Sequence, residues 1–225
     1  MMENGEADFS RDDTRRAVRQ AILLNEYLLR RAWGTLFLAL ALSMFVSNFG
    51  VAILGVANSF GVAGSIAATI ATSGCGLIVV VWTFKRVGYA AEITHSEDDP
   101  AWSRLLGYRF LVPLWGVSNV VSILTIALAR AQLPLVFFLI HLGLAVYLYY
   151  AASLSFSKGI PGEASVAIGS LALSSIGSIA LLSIDTSPGP YAVVWGATIV
   201  AWVASGIFAR TRPIPESDEE HDGLE

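Results

Sequence analysis

The sequence has little charge and almost no cysteine. Only 14% of its 225 residues are Asp, Glu, Lys or Arg, against roughly 25% in a typical soluble domain. The single cysteine, Cys75, cannot form a disulfide within the chain. Hydrophobic residues make up 55% of the chain. This composition argues against a soluble globular protein and favours a membrane protein.

Charge is missing altogether from six long apolar segments. None of the 32 charged residues lies within them, as expected if a charge near the bilayer centre costs roughly 2.5–3.5 kcal/mol. Each segment is close to the ~20 residues that a helix needs to cross the hydrocarbon core. We therefore predict an all-α membrane protein with a six-transmembrane-helix bundle. The segments are Trp33–Val56, Val62–Phe84, Phe110–Ala129, Leu133–Leu154, Ser165–Ile184 and Tyr191–Ala209.

The residues before the first apolar segment have a different pattern. Ser10 and Asp13 resemble a capping box, and Val18 and Ile22 then recur at helical spacing among arginines. A basic amphipathic helix beside a membrane usually lies in the headgroup region. We predict an N-terminal amphipathic interfacial helix that leads into the first span at Trp33. The expected regions are a cytoplasmic tail and interfacial helix (1–32), a six-span membrane domain (33–209) and an acidic cytoplasmic tail (210–225).

The basic residues predict the orientation. With the N-terminus inside, thirteen of the fourteen Lys and Arg residues lie in inner regions, and only Arg130 lies in an outer loop. Cytoplasmic loops of membrane proteins carry such an excess. We expect a cell-membrane protein with both termini in the cytoplasm.

The C-terminal tail carries the net negative charge of the chain. Six acids and no Lys or Arg follow Arg212. Two interpretations remain open for this tail: a solvated, solubilising end, or a docking site for a basic partner.

Polar side chains inside the predicted spans are few, and these are the default functional candidates in a membrane. His141 lies in the fourth segment, and Asn119 lies at a similar depth in the third. One interpretation is an interhelical hydrogen bond; the others are a solute site or a pH-sensing histidine. The complete candidate intramembrane polar site is His141, Asn119, Ser118, Asn48 and Ser174.

Small residues recur every four positions in three of the segments. Such rows let helices approach closely in lipid, which favours a role in building the bundle. A subunit contact or a narrow polar pathway is the alternative. The rows are Gly64, Ala68, Thr72 and Gly76; Ser170, Ser174 and Ser178; and Ala197, Ala201 and Ser205.

Aromatic residues near the segment ends predict interfacial belts. Trp33 would lie in the inner belt, and Tyr191 and Trp195 in the outer one. Trp202 lies deeper in its segment, and we expect it to pack within the bundle.

Sequence signals of membrane enzymes and pumps are missing. A retinal pigment needs a lysine in a span, an intramembrane aspartyl protease needs two aspartates there, and a zinc protease needs His-Glu-x-x-His; the sequence has none of these. There is also no P-loop. We expect no catalytic residue, no cofactor and no metal site.

These expectations favour a non-enzymatic membrane subunit or accessory protein with cytoplasmic contacts. The alternative is a permease for a neutral or amphiphilic solute, with Asn48, Asn119, His141 and the serines of the fifth segment along its path. Expected partners are the lipid bilayer and either another membrane protein or further copies of the chain, with no nucleic acid.

Overall fold

All regular secondary structure in the described part of the chain is helical. A computed structural model describes residues 3–46, 67, 71, 74–87, 89, 133–156, 158–184 and 188–213, and no strand occurs in these ranges. They form five helices: α1 (Glu3–Phe45), α2 (74–87), α3 (Leu133–Ser155), α4 (Gly162–Leu181) and α5 (Pro188–Thr211). The predicted third span and three candidate site residues, Asn48, Ser118 and Asn119, lie outside the described residues.

Four of these helices contain stretches that are long and apolar enough to cross a membrane. The stretches are Asp13–Phe45, Leu135–Ser155, Gly162–Leu181 and Gly189–Thr211. The last three match the predicted fourth, fifth and sixth segments to within three residues at each end. The predictions of an all-helical fold and of membrane-spanning helices are therefore confirmed for this part of the chain.

The N-terminal region and the first span form one helix. α1 continues through Trp33 without a break and has 43 residues, so it is about 64 Å long at 1.5 Å per residue. The predicted interfacial helix is therefore not confirmed as a separate element in residues 3–45. Because a hydrocarbon core is about 30 Å thick, much of α1 must extend beyond it.

The helices pack in the order α1, α5, α4, α3. At the α1–α5 crossing, Gly34 meets Ala209 and Leu38 meets Gly206. Residue numbers therefore rise along α1 as they fall along α5, and the two helices are antiparallel. A Cβ atom built on Gly34 would lie 2.8 Å from the Cβ atom of Ala209 and 2.9 Å from the Gly206 carbonyl oxygen. Only glycine allows this approach.

α2 contacts both α1 and α3. A Cβ atom on Gly76 would collide with the side chain of Ser43, so this member of the predicted small-residue row does allow a close helix approach. Further along α2, the ring of Phe84 lies 6.2 Å from that of Tyr147 on α3.

The turn between α3 and α4 is short. Gly159 adopts a φ of 95°, a left-handed conformation that favours glycine. Pro161 then precedes α4, and Glu163 lies in its first turn, where the helix dipole favours a negative charge. This turn lies beside α1, because the ring of Phe156 is 6.3 Å from that of Trp33.

The largest buried side chains include Trp33, Phe37, Leu148, Leu171 and Trp202. Trp202 packs inside the bundle, as predicted. Trp33, which the sequence places in the inner belt, is only 1% exposed within the bundle, and its depth in a membrane stays a prediction. The turn that follows α3 covers this tryptophan, and position along an apolar segment alone cannot reveal that cover.

Candidate functional site

His141 lies on the buried side of α3, facing α5. The rings of His141 and Trp195 meet edge to face, with centroids 5.1 Å apart and an interplanar angle of 78°. Nδ1 lies 2.9 Å from the carbonyl oxygen of Phe137, one turn earlier on the same helix. Because a carbonyl only accepts, Nδ1 carries the proton and donates it. The histidine therefore bonds within its own helix; its predicted partner Asn119 is outside the described residues.

An aromatic cluster surrounds this histidine. Phe138 stacks on Tyr191 at 5.6 Å and on Trp195 at 6.1 Å. Phe137 lies 4.1 Å from the His141 ring and 6.0 Å from that of Trp195. Tyr191 and Trp195, which the sequence places in the outer belt, thus pack against α3.

Ser174 lies at the α4–α5 interface, where its hydroxyl makes a short hydrogen bond with that of Thr198. The same hydroxyl lies 3.3 Å from the Val194 carbonyl oxygen. One turn further along α4, Ser178 accepts a 3.1 Å hydrogen bond from the Trp195 indole. Ser174 and Ser178 therefore hydrogen-bond α4 to α5, as polar side chains commonly do between membrane helices. The third serine of the row, Ser170, donates instead to the Ala167 carbonyl oxygen of its own helix.

Trp202 extends this interface toward the other end of α4. Its indole donates a 2.7 Å hydrogen bond to the carbonyl oxygen of Ala167, and both residues are fully buried. We name the set Ala167, Ser174, Ser178, Trp195, Thr198 and Trp202 the α4–α5 interface. His141 and Ser174 do not touch each other; they are linked through Trp195 and Thr198, which are neighbours on one face of α5.

A second polar cluster joins α1 to the α3–α4 turn. Arg30 donates to Glu26 at 3.0 Å and lies 3.8 Å from Glu163, while Lys158 lies 3.4 Å from Glu26. The Glu163 side chain is only 8% exposed and that of Lys158 is 65% exposed. We name Glu26, Arg30, Lys158 and Glu163 the charged end.

Several buried polar atoms around the charged end have no hydrogen-bond partner. They are Asn25 Oδ1, Arg30 Nε, Trp33 Nε1 and Glu163 Oε1. An unpaired buried polar atom typically costs 1–3 kcal/mol, so this cluster is less completely satisfied than the α4–α5 interface.

Sequence reasoning missed the charged end. The contacts run from Lys158 and Glu163 to α1, a distant part of the sequence. The signal available in the sequence was Glu163, an acidic residue in the first turn of an apolar helix. Its partner Arg30 lies more than 130 positions earlier in the sequence.

Within the described ranges, no group of three His, Cys, Asp or Glu side chains is placed to hold a metal ion. No known protein family matches the sequence, and comparisons with curated proteins and with solved structures find no similar chain.

Proposed function

We propose that this chain is a non-enzymatic accessory subunit of the cell membrane. It has six spans and cytoplasmic termini, and it binds another membrane protein's cytoplasmic region through the N-terminal half of α1. The remaining helices form the membrane anchor that holds α1 in position.

The exposed surface of α1 carries this proposal. Every side chain at positions 13–22 is exposed. Val18 and Ile22, one turn apart, are each 53% exposed. With Thr14, Arg15 and Arg19 they line a shallow depression. Since α1 reaches well beyond a 30 Å core, an apolar depression bordered by arginines fits a protein partner with apolar and acidic side chains.

The distribution of basic residues supports the orientation. The charged end, Arg31 and the last turn of α5 lie at one end of the bundle, because Gly34 contacts Arg210 and Trp33 contacts Phe156. At the opposite end, the described parts of the α4–α5 connection contain no Lys or Arg. By the positive-inside rule, the basic end is cytoplasmic.

The alternative, a permease for a neutral solute, draws on the buried His141 and Ser174. Their polar groups already bond to Phe137 and Thr198, and a solute would have to displace these bonds. This favours a packing role over a transport path.

The test is purification through a C-terminal tag in mild detergent, with a second, differently tagged copy expressed in the same cells. We expect a stoichiometric partner distinct from the second copy. The double variant Val18→Ser/Ile22→Ser should release it, while Ile184→Ser should not. Ile184 is a matched control because it is also exposed, at 81%, but follows α4 at the other end of the bundle.

The permease would be the better proposal if the chain purified without a partner and carried a solute flux in liposomes that His141→Ala abolished. Retention of the partner by the double variant would show that α1 is not the binding surface.

A further inference from the structure

The C-terminal end of α2 carries an exposed arginine that a tryptophan holds in place. The Cζ atom of Arg86 lies 3.9 Å from the centroid of the Trp82 ring, one helical turn earlier. Stacking on an indole fixes the plane of the guanidinium and leaves the N–H groups at its edge available to an acceptor. Arg86 is therefore oriented to bind an anion.

No described side chain supplies this anion. Within the part of the chain that the structure describes, Arg86 has no hydrogen bond and no ion pair. The neighbouring helices α2 and α3 contain no Asp or Glu in their described ranges. A guanidinium without a counter-ion at the edge of an apolar phase attracts negatively charged groups from its surroundings.

One exposed face of α2 changes from apolar to polar toward Arg86. Ile78 is 71% exposed, Trp82 is 53% exposed, and Tyr89, which is also helical, is 66% exposed. At about 100° per residue, these three residues and Arg86 fall within roughly 80° of the helix circumference. The predicted span ends at Phe84, which places Arg86 at headgroup depth and Ile78 on the hydrocarbon side.

A phospholipid has the same order of groups along the membrane normal, with acyl chains inside and a phosphate at the surface. We infer that Arg86 and Tyr89 bind the phosphate of an anionic phospholipid, while Ile78 contacts its acyl chain. Arg86 donates a bidentate hydrogen bond to the phosphate oxygens, and the Tyr89 hydroxyl donates another. A zwitterionic lipid fits less well, because no described carboxylate of α2 or α3 is present to pair with its ammonium group.

The test is a titration of phosphatidylglycerol into the full-length protein in a neutral detergent, with bound lipids counted by native mass spectrometry. Arg86→Gln should weaken the tightest phosphatidylglycerol binding about tenfold, because it removes a charge-assisted hydrogen bond. Arg212→Gln is the matched control. Arg212 also lies over an aromatic ring one turn earlier, but at 5.7 Å from the Phe208 centroid and shortly before six acids. Its loss should change the affinity by about twofold at most.

Two further variants separate phosphate recognition from simple charge attraction. Arg86→Lys keeps the charge but loses the bidentate geometry, and Trp82→Leu removes the stacking. Each should weaken phosphatidylglycerol binding about threefold. Equal losses from Arg86→Gln and Arg212→Gln, or equal affinity of the unmodified chain for phosphatidylcholine and phosphatidylglycerol, would overturn the inference. Displacement of the lipid by an equal concentration of inorganic phosphate would also overturn it, because the site would then bind a soluble anion.

Discussion

The α4–α5 interface and the charged end differ in how completely their buried polar groups are hydrogen-bonded. Across the α4–α5 interface, indoles and hydroxyls bond to groups on the facing helix: Trp202 to Ala167, Trp195 to Ser178, and Ser174 to Thr198. At the charged end, ion pairs link α1 to the α3–α4 turn, yet Glu163 Oε1 and Arg30 Nε stay without a hydrogen bond.

The difference follows from the solvent at each depth. Within the hydrocarbon there is no water, so polar groups must be satisfied by protein, and short neutral side chains do this at small cost. At the charged end, solvent reaches Lys158, which is 65% exposed, so its long side chain keeps its charge in water. Glu163 Oε1 and Arg30 Nε are buried, so their missing hydrogen bonds remain a cost to stability. We therefore expect the stability of the bundle to depend more on its interhelical packing than on its ion pairs.

The largest effect should come from separating α1 from α5. Gly34→Leu would force a side chain into Ala209 and the Gly206 backbone, and Arg30, one turn away, would move with α1. We expect the free energy of unfolding to fall by about 3 kcal/mol, near the upper range for overpacking. Titration with denaturing detergent, followed by tryptophan fluorescence, measures it.

Gly143→Leu is the matched control for this substitution. Gly143 is also in a membrane helix, but a Cβ atom there meets no atom within 4 Å. Its unfolding midpoint should stay close to that of the unmodified chain. If Gly34→Leu and Gly143→Leu lowered the free energy of unfolding equally, the α1–α5 crossing would not be a tight contact.

An intermediate effect should come from the α4–α5 interface itself. Trp202→Phe keeps an aromatic ring but removes the 2.7 Å bond to Ala167 and part of the buried volume. We expect a loss of about 1–2 kcal/mol in the free energy of unfolding, measured in the same titration. Trp82→Phe, at a tryptophan that is 53% exposed, should change it little. If Trp82→Phe lowered the free energy of unfolding more than Trp202→Phe, the α4–α5 interface would not be a main source of stability.

Apolar length was sufficient to predict α3, α4 and α5, and small-residue spacing identified positions at which these helices pack. The bounds of α3, α4 and α5 follow from where the apolar segments end, because the bilayer sets that length. Gly76 and Ser174 were identified because spacing along one helix determines which residues share a face.

Contacts between distant segments could not be predicted in this way. The continuity of α1 across Trp33, the cover over that tryptophan and the pairing of Glu163 with Arg30 all depend on how helices are arranged. The spacing of apolar residues along one helix predicts which face is buried. It does not predict which other element covers that face. The same limit applies to His141, whose predicted partner Asn119 was chosen by depth alone.

The smallest effects should come from the charged end, and they should rank by burial. Glu163→Gln removes a charge whose side chain is 8% exposed and lies 3.8 Å from Arg30. Because Arg30 keeps its 3.0 Å bond to Glu26, we expect a loss of only about 1 kcal/mol in the free energy of unfolding.

Lys158→Gln should cost less, about 0.3 kcal/mol, since exposed ion pairs contribute little. Its effect should also disappear in molar salt, where charges more than about 3 Å apart are screened, whereas part of the Glu163 effect should persist because that carboxylate is shielded from solvent. The same detergent titration at low and high salt separates the two. Two results would contradict this ranking: a larger loss in the free energy of unfolding from Lys158→Gln than from Glu163→Gln, or a Glu163→Gln effect that salt removes completely. Either result would show that only exposed charges stabilise the charged end, as on an ordinary solvated surface.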